Sequence, residues 1–481
     1  MRIQTITTSF LLRAFLPHAS PVVPKNTRVV ASYAMSTSTP PSLSPNTHNL
    51  RIVSYNVLSS KLARPSHFTT TNPDHLDATN RLPLILTKLE NELNRGFAAS
   101  HGTEQTKSSA LPPPTIVCLQ EIDYTFTSAL HAFFANRGYH FVTGLYGKRF
   151  NGYMGVGIAY PIKEFDTIHV DICRLSDERE GGWPRIPEEV EDSNDGPIKR
   201  VAQSVTKRLW RFTSYTVERT SALLHNYVGK HLGANYRLAL GLSTTTTASN
   251  IDPWEMSENR HNVLLTAVLK FRNESAASKS SGVFSISNYH MPCAFYCPPV
   301  MNIHVDMAAR RVQQLATKAW ADIHREEHPN DCQGAAVPHI LAGDFNILPE
   351  SSHYKLITTG ALDESDVTYP PLKHGMKWSP TCHSMDSAYA LHSGGTEPSF
   401  TNYAHLKEEE EPFIGTLDYI FLSRRDGTER NNEGDRIGKS WIVRDVVKLP
   451  ERDVSGGPFP NDREPSDHLL IGADLELVTE M

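Results

Sequence analysis

Cysteine is scarce in this sequence, six residues in 481, which excludes a disulfide-scaffold protein and fits a reducing compartment. Long apolar runs are missing as well. No stretch approaches the roughly 20 uninterrupted apolar residues of a membrane span, which argues against an integral membrane protein. Acid is absent from the first 73 residues, where seven basic residues (Arg2, Arg13, Lys25, Arg28, Arg51, Lys61 and Arg64) precede the first carboxylate, Asp74. The remainder carries 40 basic and 53 acidic residues, so the body is far more acidic than the overall charge of −6 suggests. Such a body excludes nucleic-acid binding through a global basic field. Any phosphate-bearing ligand has to be held locally, by a metal ion or a confined basic patch. So few cysteines also disfavour a zinc hydrolase. What is present is enough to fold: 39% of residues are hydrophobic and 21% charged, so a sizeable core is within reach.

Residues 1–48 hold fourteen Ser/Thr, four basic residues and no acid, with Ile3, Ile6 and Phe10 at helical spacing before Pro17. That composition reads as an organellar transit peptide ending in the Pro/Ser-rich linker Thr39 to Thr47. The expected address is the mitochondrion, or the plastid in a photosynthetic host. Initiation at Met35 would instead leave the protein cytoplasmic.

From Leu50 onward, short apolar runs alternate with turns and amphipathic helices. Strands are predicted at Leu50–Leu58, Ile116–Gln120, Gly155–Tyr160, Val263–Phe271, Val283–Tyr289, His339–Ala342, Leu417–Leu422 and Leu469–Leu475. Helices are predicted at Arg81–Asn94 and Val305–His324. Strands mixed with outer helices predict a layered α/β or α+β domain from Leu50 onward. An insertion, 174–260, interrupts it. Within that insertion, Ile198 to Leu238 carries eight Lys/Arg against the single acid Glu218. Val201, Val205, Leu209 and Phe212 share one helical stripe there. This basic amphipathic helix reads as a flap packed on the sheet, or as a surface for RNA phosphates or an anionic membrane.

The chemistry collects where apolar runs end. Asn56 lies at the end of Arg51-Ile52-Val53-Ser54-Tyr55-Asn56, and Glu121 directly follows Ile116–Gln120. Asp344 and Asn346 stand in Gly343-Asp344-Phe345-Asn346, after His339–Ala342. Asp467 and His468 precede Leu469-Leu470-Ile471. Each polar group abuts a run that should be buried, so several should meet at one rim of a sheet sandwich. Buried carboxylates repel one another unless a cation compensates, and a hard divalent ion with oxygen ligands is the economical answer. Cys293 and Cys297, with His290 and His304, match no common zinc spacing and read as packing thiols.

The order of these signals is Tyr-Asn-Val-Leu, Leu-Gln-Glu-Ile, Asn-Tyr-His, Gly-Asp-Phe-Asn, Leu-Asp-Tyr-Ile-Phe and Ser-Asp-His. The series resembles the endonuclease/exonuclease/phosphatase family, the group of DNase I and the apurinic-site endonucleases. Met385-Asp386-Ser387-Ala388-Tyr389, Glu397 to Tyr403 and Phe413 to Phe421 look like its deadenylase, nocturnin, Angel and 2′,5′-phosphodiesterase branch. The resemblance covers residues 49–478 and implies an α/β fold, a two-layer β-sandwich flanked by helices, with the helical insertion added. It also implies a Mg²⁺-dependent phosphodiesterase, Mn²⁺ able to substitute, acting on RNA as a 3′→5′ exoribonuclease.

Roles follow from the resemblance together with phosphodiester chemistry. Glu121 would bind the metal, with Asn56 nearby through a coordinated water and Asp467 completing the environment. Asp344 would orient and deprotonate the attacking water, and Asn346 would fix it. His468 would face the scissile phosphate, oriented by Asp418, while His290 would bind a non-bridging oxygen or assist the leaving group. Asn402 and Phe413 would hold the substrate base. In-line attack needs this division: a cation on the oxygens, a base behind the nucleophile, donors around the phosphate. The loop Met291 to Pro299 departs from the branch's usual sequence, which bears on poly(A) preference. Two further readings stand beside this one: a phosphatase of a small phosphorylated metabolite or dinucleotide, and a catalytically inactive RNA-binding or adaptor protein. Protein partners are not specified by the sequence.

Overall fold

Alternation along the chain accounts for two sheets packed face to face. The computed structural model describes residues 46–96, 112–186, 251–272, 282–325, 335–424 and 441–479. The chain divides into Met1–Ser44 and Pro45–Met481, and every described residue belongs to the second unit. The part of the expected transit peptide up to residue 45 and the basic stretch 198–238 lie outside the described residues.

Strands in chain order are β1 (Asn46–Asn56), β2 (Thr115–Ile122), β3 (Tyr139–Gly144), β4 (Gly155–Pro161), β5 (Phe165–Arg174), β6 (Val263–Phe271) and β7 (Val283–His290). There follow β8 (His339–Asp344), β9 (Met385–Ser387), β10 (Asn402–Ala404), β11 (Phe413–Gly415), β12 (Asp418–Ser423), β13 (Trp441–Val446) and β14 (Ile471–Thr479). One six-stranded sheet has the order β13-β14-β1-β2-β4-β3, the other β5-β6-β7-β8-β12-β9, and β10-β11 form a small ribbon. Among the described strands, only β1–β2 and β7–β8 pair in parallel. Those two pairs therefore deliver their carboxyl ends at matching edges.

Leu50 and Ile52 of β1, Ile116 and Cys118 of β2, and Val156 and Ile158 of β4 share one buried cluster with the other sheet. That sheet contributes Leu265, Ala267, Ile286, Ile340, Ala342, Ile420 and Leu422. The alternate positions Val53, Tyr55, Val117 and Leu119 point outward, onto Ile85 and Leu89 of helix Ala78–Asn94 and Phe126, Leu130 and Phe134 of helix Tyr124–Ala135. On the far side Leu264, Tyr289, Leu341 and Phe421 pack on Met301, Val305 and Val312 of helix Pro298–His324. Each such buried side chain contributes about 1.5–3 kcal/mol. The architecture is the expected α/β sandwich with outer helices.

Two local features refine the expectation. Helix Pro298–His324 begins two turns before Val305, because its prolines occupy the first turn, where no N–H is needed. Strands β3, β5, β9, β10, β11 and β13 are not among the predicted strands; β9, β10 and β11 are three residues each, and β3, β5 and β13 are outermost strands, β5 with polar exposed positions, which weakens the apolar signal. Arg51, fully buried on β1, pairs with Asp474 opposite it on β14 (2.5 Å) and donates to the Glu92, Arg95 and Gly96 carbonyls. Its guanidinium thus caps the carboxyl end of helix Ala78–Asn94 and seats it on the sheet. No described helix is long and apolar enough to cross a membrane, and the five described cysteines form no disulfide.

Candidate active site

Four polar side chains inherit their direction from the strands that carry them. Asn56, His290, Asp344 and Asp418 each continue the inward-facing positions of β1, β7, β8 and β12, past the point where apolar side chains fill the gap between sheets. Register then sets their neighbours: His290 lies opposite Asp344 across β7–β8, and Asp418 opposite Asp344 across β12–β8. Gly343 permits this pairing. It sits at φ 149°, and a Cβ there would lie 1.8 Å from the Tyr289 carbonyl oxygen.

Glu121 arrives by another route. Strict alternation would leave it on the helix-facing side with Val117 and Leu119. Instead β2 is bulged between Gln120 and Ile122, Glu121 takes φ 57°, and Ile122 occupies the helix-facing place. A left-handed non-glycine residue costs on the order of 1–3 kcal/mol, and such bulges re-aim side chains beside sites. The carboxylate is held by Asn56 Nδ2 (3.1 Å) and the Ser59 N–H (2.9 Å).

Asn56 Nδ2 also donates to Asp344 Oδ2 (2.9 Å), while Asn56 Oδ1 accepts from the Leu58 N–H (2.9 Å). Asn56 therefore clamps the two carboxylates together through its amide nitrogen, with its oxygen already engaged. Asp344 Oδ1 accepts the Asn346 N–H (2.9 Å), and Asn346 Nδ2 donates to the Met291 carbonyl (3.0 Å). His290 Nε2 stands 3.5 Å from Asp344 and 4.0 Å from Glu121; His468 Nε2 stands 3.6 Å from Asp344. Glu121, His290 and Asp344 form one group with potential metal-ligand atoms within 4.8 Å of one another, and Asp344, Asp418 and His468 form a second.

His468 is held from behind. Its Nδ1 lies 2.8 Å from Asp418 Oδ2, which also accepts the Thr401 hydroxyl (2.6 Å). Burial pushes the Asp418 carboxyl up to about 6 even though His468 pulls the other way. Burial disfavours charge on His468, but Asp418, Asp344 and Asp467 outweigh it and hold the imidazole well above its ordinary value. A cationic imidazole facing Asp344 is the result.

The remaining predicted residues lie around this cluster. Asp467, half-buried, is outside both ligand groups; its Oδ1 lies 3.5 Å from the Ser466 hydroxyl, and it acts on His468 through charge. Asn402 is bridged to His468 through the backbone, and Phe413 pairs with Ala404 on the adjoining ribbon, its ring over Gly415. Asn402 thus borders the His468 side. Among the described residues Cys293 and Cys297 join no metal-ligand group, and buried His304, lowered to about 3 by burial, is engaged by Tyr289 and the Ser257 carbonyl.

Three supporting residues escaped sequence reading. Thr401 accepts the Leu417 and Asp418 N–H groups and donates to the Asp418 carboxylate. Ser466 donates to the Asn56 carbonyl (2.7 Å) and accepts the His468 N–H (3.2 Å), joining two strand ends. Arg81 is buried in helix Ala78–Asn94 and donates to the Val57, Leu58 and Pro465 carbonyls. A charged residue amid the apolar stripe Leu82, Ile85 and Leu89 was the signal that could have found it.

A sequence profile of the Endonuclease/Exonuclease/phosphatase family matches residues 53–468. The CCR4-Not complex 3′-5′-exoribonuclease subunit Ccr4 of Phaeosphaeria nodorum is 34% identical over 155 residues, 32% of this chain and 23% of that protein. The Ccr4 of Aspergillus terreus is 24% identical over 448 residues, 90% of this chain and 53% of that protein. The chain thus spans about half or less of the length of these curated relatives. Among solved structures, ANGEL2, a 2′,3′-cyclic phosphatase, in complex with adenosine-2′,3′-vanadate shares the fold. The TM-score is 0.53 at 16% identity, covering 90% of this chain and 99% of that one.

Proposed function

The chain belongs to the endonuclease/exonuclease/phosphatase family, and from that membership we propose that it is a Mg²⁺-dependent phosphodiesterase of RNA, a 3′→5′ exoribonuclease. The observation that carries the reading is the convergence of Glu121, Asp344 and the Asp418-held His468 at one rim of the sandwich. The similarity to 3′-5′-exoribonuclease subunits supports RNA as the substrate.

The residues fit a hard divalent cation. Two buried carboxylates are drawn together by one bridging amide, and the group they form with His290 offers carboxylate oxygens and an imidazole with no thiolate among them. Glu121 would hold Mg²⁺, or Mn²⁺ in its place, and the ion would neutralise charge on the phosphate oxygens. Asp344, placed between two imidazoles and fixed by Asn346, is set to orient a water and take its proton. His468, kept cationic, faces the charge developing on the phosphate, and His290 faces the same space from the other side. Thr401 and Asp418 position the His468 ring.

Incubation of the full chain with oligoadenylate, mixed-sequence RNA, 2′,5′-linked oligoadenylate, 2′,3′-cyclic-phosphate-ended RNA, abasic DNA and phosphorylated dinucleotides tests the reading. Stepwise release of mononucleotides from the 3′ end, abolished by EDTA, is expected. Glu121→Gln should lower turnover by roughly a hundredfold or more with the fold intact. Undiminished hydrolysis in EDTA, or a fully active Glu121→Gln, would overturn it. Residues 1–48 are proposed to direct the protein to the mitochondrion, or the plastid in a photosynthetic host. Diffuse fluorescence from a fusion of that segment would refute this.

A further inference from the structure

Four large aromatic side chains stand in solvent around one turn beside the site: Tyr124 is 53% exposed, Tyr146 43%, Phe150 47% and Tyr153 48%. Rings gathered at the surface do not serve the core, and such clusters mark contact surfaces. The turn Leu145–Met154 carries Lys148 and Arg149 and no acid. The loop against it, Leu58–Thr70, carries Lys61 and Arg64 and no acid. The two segments meet: Lys61 Nζ lies 5.5 Å from the Tyr124 ring centre, and Arg64 donates to the Phe150 carbonyl (3.2 Å). The acid between them, Asp123, is buried and engaged by Ser59, Ser60 and the Thr125 and Phe126 N–H groups. In an otherwise acidic body this is a locally positive, ring-lined surface assembled from two segments whose contacting residues, Arg64 and Phe150, are 86 positions apart, which a count along the chain passes over.

It is tied directly to the catalytic rim. Ser59 gives its N–H to Glu121, while its hydroxyl lies 3.0 Å from the Asn151 carbonyl; the Tyr124 N–H donates to the Gly152 carbonyl (3.1 Å). Gly152 and Tyr153 both adopt left-handed backbone, φ 70° and 56°. For an exposed tyrosine that conformation costs energy and returns none through burial, so the strain belongs to the surface it presents.

We propose that this surface is a stacking platform for unpaired nucleotides of a single-stranded RNA, upstream of the nucleotide being cleaved. Ring faces take bases of any identity, and the interleaved cations take the phosphates between them. The proposal rests on the exoribonuclease reading, and its test separates the two. Binding of a fluorescent 20-nucleotide oligoadenylate is measured by anisotropy in EDTA, alongside hydrolysis of a dinucleotide in Mg²⁺. Phe150→Ala combined with Tyr153→Gly should weaken 20-mer binding by about tenfold or more and leave dinucleotide turnover unchanged. Tyr153→Gly relieves the left-handed backbone, so an equal or higher Tm shows that lost binding is not lost folding. Lys148→Gln with Arg149→Gln should flatten the log–log salt dependence by about 0.7 per phosphate contact removed. Twenty-mer binding within twofold of wild type in the ring variant overturns the proposal, as does a parallel fall in dinucleotide turnover. Ring-dependent capture of an acidic peptide in preference to the 20-mer would overturn it in favour of a protein partner. A wild-type chain that binds the 20-mer through these rings yet hydrolyses no RNA overturns the exoribonuclease reading alone.

Discussion

Replacing Asp418 by Asn isolates the device that holds His468. In the wild-type chain Asp418 Oδ2 takes the Thr401 hydroxyl at 2.6 Å and faces His468 Nδ1 at 2.8 Å, and the other oxygen, Oδ1, is buried without a partner. The amide keeps the volume and can still accept from Nδ1, but it no longer balances the imidazolium, and its NH₂ falls where no acceptor waits. What disappears is a hydrogen bond between charged groups, worth about 1.5–3 kcal/mol. If that support matters mainly in the transition state, kcat should fall by roughly ten- to two-hundredfold, with KM little changed. Stability should move less, because burial already opposes the Asp418 charge and its removal offsets part of the loss. Thr401→Val removes a donor to the Asp418 carboxylate and the acceptor of the Leu417 and Asp418 N–H groups, and should cost about tenfold or more in kcat; Thr401→Ser should restore it. The assays are steady-state turnover on the best RNA substrate and thermal melting. A kcat within threefold of wild type in Asp418→Asn, with the melting curve intact, would mean that His468 is oriented by something else.

Two further expectations concern the fold. Gly343→Ala should cost at least about 3 kcal/mol in urea unfolding, since its Cβ would lie 1.8 Å from the Tyr289 oxygen and force β7 from β8; an unchanged midpoint would contradict the register described. Burial lowers His353 to about 4, so below the unfolded value of about 6.5 the unfolded chain binds a proton that the folded chain refuses. Its contribution is complete above pH 6.5 and shrinks as the pH falls toward 4. His353→Asn should therefore flatten the pH dependence of stability between pH 7.5 and 5.5 by about 1.4 kcal/mol, and an unaltered slope would refute the assignment.

Period-two alternation already places Asn56, Asp344 and His290 at the ends of buried runs, because a side chain's face on a strand depends only on the parity of its position. That rule placed a rim of carboxylates, amides and histidines at the ends of buried runs, and the family resemblance carried by the order of the motifs supplied the sandwich. Parity fails at Glu121. A bulge with φ 57° is a property of how β2 meets β4, and nothing in Leu-Gln-Glu-Ile announces it. Thr401 and Ser466 look like ordinary turn residues until their strands close on Asp418 and Asn56. Arg81 reads as an interruption of an apolar stripe until the carbonyls of Val57, Leu58 and Pro465 surround it. The aromatic surface is divided between Tyr124, the turn 145–154 and the loop 58–70, so no window along the chain contains it. Local pattern decides which way a side chain points within its own element, since that depends on backbone geometry over a few residues. Contacts between elements far apart in sequence decide which side chains meet, and those exist only once the two sheets have packed.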